Sequence, residues 1–184
     1  MTLPARIALL ILLPALPAAA AGVDIPALVE CRQGIAEHAA LGAATADPLK
    51  AVALGLQPMP QQNQFMTEFR LANPATVFGR QTDHIALAGA SVMAVLDLDD
   101  PRPLAGELKL ETAYDADGKF MAGREVVSRD TTDPKTGEPM IESIILSVST
   151  VRSHPGQTLA GCTYSLDLPA EEATAPAPTA SAEG

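Results

Sequence analysis

Two cysteines, Cys31 and Cys162, constrain the fold of this 184-residue chain most, because they sit in segments of opposite periodicity. Around the first, Leu28, Cys31, Ile35 and Ala39 recur at three- and four-residue spacing, the apolar stripe of a helix. Around the second, Cys162, Tyr164, Leu166 and Leu168 alternate, as one face of a strand does. Both sulfurs therefore fall on apolar faces, where a helix packs on a sheet. With only these two cysteines and no C-x-x-C spacing, a structural disulfide from helix to last strand is expected. Closing a loop of about 130 residues stabilises a domain by roughly 5 kcal/mol in the chain-entropy account.

A persistent disulfide needs an oxidising compartment, and the amino terminus supplies the address. Arg6, the apolar run Ile7 to Leu16 and Ala18-Ala19-Ala20-Ala21 form the basic, apolar and A-x-A parts of a secretory signal peptide, residues 1–21. The run falls short of the roughly 20 residues that cross a bilayer, and Pro14 and Pro17 interrupt its end. No later stretch is apolar enough, so an integral membrane span is not expected. Cys31 lies too far beyond the cleavage point to carry a lipid. The chain is expected to be exported, to the periplasm first and the extracellular space as the alternative.

Cleavage removes Arg6 alone among the charges, leaving 11 basic against 22 acidic residues, a net charge of −11. Nucleic acid and anionic membrane surfaces need clustered Lys and Arg, so neither is expected as a partner. Four phenylalanines, two tyrosines and no tryptophan leave little with which to build a stacking platform for sugars or single strands.

Asp24 is placed to cap a helix with Pro26 in its first turn, fading near Gly42, and Asp47-Pro48 to open a second, shorter one that stops at Gly55. Gln57-Pro58-Met59-Pro60 then breaks regular structure. From Gln64 the period becomes two: Phe65, Thr67, Phe69 and Leu71 face one way and Met66, Glu68 and Arg70 the other, until Asn73-Pro74. Strands follow from His84 to Leu98 with a break at Gly89-Ala90, and Asp99 to Pro103 reads as a solvated turn. Next comes a hairpin from Leu108 through Asp115-Ala116-Asp117-Gly118 to about Arg129. A strand from Met140 to Arg152 sets Ile144, Leu146 and Val148 toward the core and Ser143, Ile145, Ser147 and Ser149 away from it. Ser153-His154-Pro155-Gly156 turns into the last strand.

The expected architecture is α+β over residues 22–168, an N-terminal helix packed on a mainly antiparallel sheet of about five to seven strands. Residues 169–184 are Ala, Pro, Thr, Ser and Glu rich and are expected to be a disordered tail. A helix followed by an antiparallel meander resembles the cystatin-like folds in architecture alone. The Q-x-V-x-G inhibitory loop of cystatins is absent, so no function transfers.

Candidate chemistry is sparse. Gly89-Ala90-Ser91-Val92-Met93 begins like a nucleophile elbow but lacks the second glycine and runs into a strand, so Ser91 reads as an ordinary strand serine. Asp115, Asp117 and Gly118 offer oxygen ligands in a tight loop, but the calcium pattern is incomplete and a hairpin turn accounts for them. Asp97, Asp99 and Asp100 read as a solvated cluster. His38, His84 and His154 stand in unrelated segments, and His38 is expected to be half-buried with one hydrogen bond. No catalytic, cofactor-binding or metal-ligating residue is assigned, and no cofactor is expected. The functional expectation is a non-catalytic binding module for a protein, peptide or small ligand in the cell envelope. The alternatives are a secreted hydrolase whose polar residues meet only in three dimensions, or an envelope-structural protein.

Overall fold

A computed structural model describes residues 22–133 and 135–169. The expected leader, 1–21, and all but the first residue of the expected tail lie outside the described residues. Three short helices come first: α1 (Ile25–Val29), α2 (Ile35–Thr45) and α3 (Pro48–Ala53). Asp24 caps α1, its Oδ1 accepting the Ala27 N–H at 3.0 Å, and Asp47 caps α3 through the Leu49 N–H at 2.9 Å. Proline in the first turn costs each helix nothing, because those amides have no intrahelical acceptor.

The single N-terminal helix expected around Cys31 is in fact two. The chain leaves α1 at Glu30, Cys31 adopts φ 57°, and α2 begins four residues later. Ile35 is therefore only half-buried and Ala39 is exposed; α2 is anchored instead by Leu41, 1 % exposed. Cys31 still meets Cys162, with Cα atoms 5.6 Å apart, so the disulfide forms from the inter-helix corner rather than from a helical stripe.

Eight strands follow rather than five to seven: β1 (Leu56–Pro58), β2 (Thr67–Val77), β3 (Arg80–Ala88), β4 (Ser91–Leu96), β5 (Glu111–Ala116), β6 (Lys119–Thr132), β7 (Pro139–Ser149) and β8 (Thr158–Asp167). All neighbours are antiparallel, in the order β1-β2-β3-β4-β8-β7-β6-β5. Two four-stranded meanders are thus sewn together where β4 pairs with β8, Val92 opposite Cys162. The extra strand is β1, a stretch whose prolines pointed to irregular chain; Pro58 is tolerated because β1 is an edge strand. Asn73-Pro74 does not end β2 either. The strand passes through it as an irregularity between Arg70 and Ala75 and resumes pairing to Val77. The expected turn at Asp99–Pro103 runs into a fourth short helix, α4 (Arg102–Glu107), whose Leu104 and Ala105 are buried.

Cross-strand register sorts the side chains into two faces. Phe69, Ile85, Ala94, Ala160, Val148 and Ala122 lie in one line of paired positions, and Ile144, Leu146, Cys162 and Tyr164 join them in the main core. Helix α1 packs over that face, where Leu28 and Val29 are fully buried and the Tyr164 hydroxyl donates to the Leu28 carbonyl at 2.6 Å. On the opposite face Met66, Ala86, Met93, Val95 and Leu159 make a second, smaller buried cluster, with Val151 packed against it. The sheet is therefore covered on both sides near β2, β3, β4 and β8. Farther along, the second face opens: Ile145 is 42 % and Met121 50 % exposed, in keeping with the half-polar alternation of β7.

Two hairpin turns rest on paired residues of positive φ. Asp117 and Gly118 (φ 52° and 70°) close β5 onto β6, and Phe78 and Gly79 (φ 50° and 72°) close β2 onto β3. Paired positive φ values give a turn whose twist matches that of the strands. Phe78 accepts this unfavourable conformation with its N–H held by Glu30 Oε1 at 2.8 Å.

Candidate functional site

Strand alternation sends Glu68 to the face opposite Phe69, beside Met66 and under the second apolar cluster. In β3 the same rule puts His84 and Ala86 on that face, since Ile85 faces the main core. Register then sets Glu68 opposite Ala86 and Arg70 opposite His84, so Glu68 and His84 meet on the diagonal. The third member, His154, comes from the β7–β8 loop. That loop folds back in tight steps, with the His154 N–H on the Val151 carbonyl at 3.1 Å and Gly156 at φ 75°, while Val151 pins it to the apolar cluster.

The three side chains converge on one atom. Glu68 Oε2 lies 2.9 Å from His84 Nε2 and 3.2 Å from His154 Nε2, and the two rings are tilted with centroids 5.8 Å apart. The Glu68 side chain has no solvent exposure and that of His154 has 2 %, whereas that of His84 keeps 17 %. Outside the trio, His154 Nδ1 is 2.9 Å from Ser153 Oγ, and the Asn63 side-chain amide donates to the same Oγ at 3.1 Å. Asn63 is itself fixed, its Oδ1 accepting the Phe65 N–H at 3.0 Å. One proton arrangement fits all of these contacts: Asn63 to Ser153, Ser153 to His154 Nδ1, and both imidazoles to Glu68 Oε2 from Nε2. Glu68 Oε1 is left over, buried with no hydrogen-bond partner among the described residues. A buried acceptor without a donor costs about 1–3 kcal/mol, and more when charged.

His84 is the exit from this cluster. It lines an open basin of about 360 Å³ together with Arg70, Gln81, Asp83, Asp97 and Gln157. Charges of both signs face the basin: Arg70 pairs loosely with Asp83 at 3.5 Å, and Asp97 accepts from the Gln157 amide at 2.8 Å. The Thr82 hydroxyl, which also lines it, is turned inward to the Val95 carbonyl at 2.7 Å. A mixed-charge rim with a half-open imidazole on its floor can hold a small polar solute by hydrogen bonds.

The residues singled out from the sequence fall elsewhere or play other parts. Ser91 opens β4, its hydroxyl 2.7 Å from that of Thr163 on β8. Asp115 forms an ion pair with Arg102, and Asp117-Gly118 is the β5–β6 turn. Asp100 accepts the Arg102 N–H at 3.1 Å, which holds its carboxyl below the usual range. His38 is half-buried, but its neighbour is the Tyr164 ring, stacked at 4.8 Å, and burial pushes its pKa down. His84 and His154, from segments 70 residues apart, do come together. Glu68, the residue that joins them, reads in the sequence as part of a solvated strand face. The one available clue was on that face: Met66, Ala86, Met93 and Val95 are too apolar for an outer surface.

Fold and cluster together define a class: a helix-covered antiparallel sheet whose second face buries a carboxylate between two imidazoles. No family model matches the sequence, and neither a curated protein nor a solved structure is significantly similar to it.

Proposed function

We propose that this chain is a non-catalytic binding module of the cell envelope, exported on residues 1–21, whose basin beside His84 takes a small polar ligand. The observation that carries the reading is the junction between an open rim with charges of both signs and a buried carboxylate–imidazole cluster, made through His84 alone. A zwitterionic solute fits that rim best, its anionic end toward Arg70 and its cationic end toward Asp83 and Asp97. The Cys31–Cys162 disulfide supports an oxidising compartment. Among the described residues no helix is long and apolar enough to cross a membrane.

Thermal melting against a panel of free amino acids, dipeptides, dicarboxylates and monosaccharides tests this. A ligand at one hundred times its Kd stabilises by about 2.7 kcal/mol, which raises Tm by several degrees in a domain of this size. The expected result is a rise with one class of solute that disappears in both Arg70→Ala and Gln157→Ala. A panel without any shift, or a shift that both variants keep, overturns the basin as the binding place.

A hydrolase is the second reading, favoured by the series Ser153, His154, Glu68. Against it, the Ser153 hydroxyl is committed to His154 Nδ1 and to the Asn63 amide, and Ser153 is not among the residues lining the basin. Ester hydrolysis lost in Ser153→Ala would favour this reading over the first.

A further inference from the structure

We propose that Glu68, His84 and His154 form a binding site for a divalent transition-metal ion of the zinc class. The proposal goes beyond the basin and does not need its ligand. Two imidazole nitrogens and a carboxylate oxygen already point at one another, with ligand atoms all within 4.8 Å. A tetrahedral ion with bonds of about 2.0–2.2 Å sets its donors roughly 3.3–3.6 Å apart. The two nitrogen–oxygen separations, 2.9 and 3.2 Å, fall just short of that spacing and widen by a few tenths of an ångström to admit the ion, while the two imidazole nitrogens, within 4.8 Å of each other, take up the same spacing.

Three further features point the same way. First, Glu68 Oε1 is buried without a partner, and a carboxylate that swings to present either or both oxygens to a cation removes the orphan. Second, the outer contact a metal-bound histidine requires is in place. When His154 turns its Nε2 lone pair to the ion, its proton moves to Nδ1, and Ser153 Oγ, already held by Asn63, stands 2.9 Å away to accept it. Third, the ligands rest on firm supports: two come from paired strands and the third from a loop fastened by Val151 and by the Asn63–Ser153 bond.

Donor chemistry selects the ion. Two imidazoles with one carboxylate favour zinc, cobalt, nickel or copper over calcium and magnesium, which take oxygen donors. Three protein ligands leave a tetrahedral ion one position for water, or for a donor group of whatever occupies the basin that His84 lines.

The test uses the untagged, disulfide-bonded chain, stripped with a chelator and dialysed, then titrated separately with Zn²⁺ by calorimetry and with Co²⁺ by visible absorption. One ion per chain is expected, with the intense Co²⁺ d–d bands of a four-coordinate site. Glu68→Gln and His84→Ala should weaken binding by at least 100-fold, and Ser153→Ala by about 10- to 100-fold. His84 is partly exposed, so His84→Ala, checked by circular dichroism, separates loss of a ligand from loss of the fold. Gln157→Ala should bind metal as the parent does, which keeps failure of the basin distinct from failure of the metal site. No saturable uptake by the folded parent overturns the proposal. So does uptake that His84→Ala and Glu68→Gln leave unchanged, which would place the ion on the acidic surface.

Discussion

Gly161 is where the smallest possible change is expected to do the most damage. It pairs with Met93 on one side and Ser147 on the other, at the seam of the two meanders, and a Cβ there would run into the Val92 carbonyl oxygen and the Met93 backbone. That backbone belongs to the paired strand β4 and cannot move away as a flexible side chain can. Gly161→Ala should therefore destabilise by about 1–3 kcal/mol or more, read as a fall in the urea midpoint at unchanged m-value. His38 carries a different effect. Burial against Tyr164 lowers its folded pKa below the unfolded value, so the unfolded chain binds more protons in acid. Its contribution is whole above the unfolded pKa of about 6.5 and is lost as pH falls through the folded value. Stability measured from pH 7.5 down to 5 should decline less steeply in His38→Gln than in the parent; parallel curves would show that His38 does not titrate across folding.

Two ties join the first helix region to β8: the disulfide from the corner just after α1, and the Tyr164 hydroxyl on the Leu28 carbonyl within it. The covalent tie spans 131 residues, nearly the whole described domain. Replacing both cysteines by serine should lower unfolding free energy by up to roughly 5 kcal/mol, seen as a drop in the denaturation midpoint without loss of strand content. A change under about 1 kcal/mol would mean that helix and sheet hold together without it. The strands were legible in the sequence where one face is buried: Ile144, Leu146 and Val148 in β7, and Cys162 with Tyr164 in β8, lie on the core face that alternation gives them. Asp47-Pro48 and Gly55 likewise mark both ends of α3. The stripe through Cys31 misled because spacing alone does not reveal a left-handed residue, and Cys31 at φ 57° divides the helix that the stripe implied. Edge strand β1 and helix α4 were hidden behind prolines, which each element tolerates at an end or an edge.

At the scale of the molecule, pattern within a segment could place a helix layer on a sheet but could not show which faces stay open. The β1–β4 half of the sheet is covered twice, by helices on one side and by the segments around Asn63 and Val151 on the other. That second cover turns an apparently solvated carboxylate into a buried one. Glu68 and His154 are 86 residues apart and meet only because β4 pairs with β8, a long-range choice that no local period encodes. This doubly covered half of the sheet holds a polar cluster centred on Glu68, His84 and His154, the metal site proposed above. Anomalous diffraction at the zinc edge, from crystals grown with a slight excess of Zn²⁺, tests it most directly. One strong peak per chain is expected, within bonding distance of Glu68, His84 Nε2 and His154 Nε2. A fully ordered cluster with no peak between those atoms, or with zinc only on surface carboxylates, would contradict it.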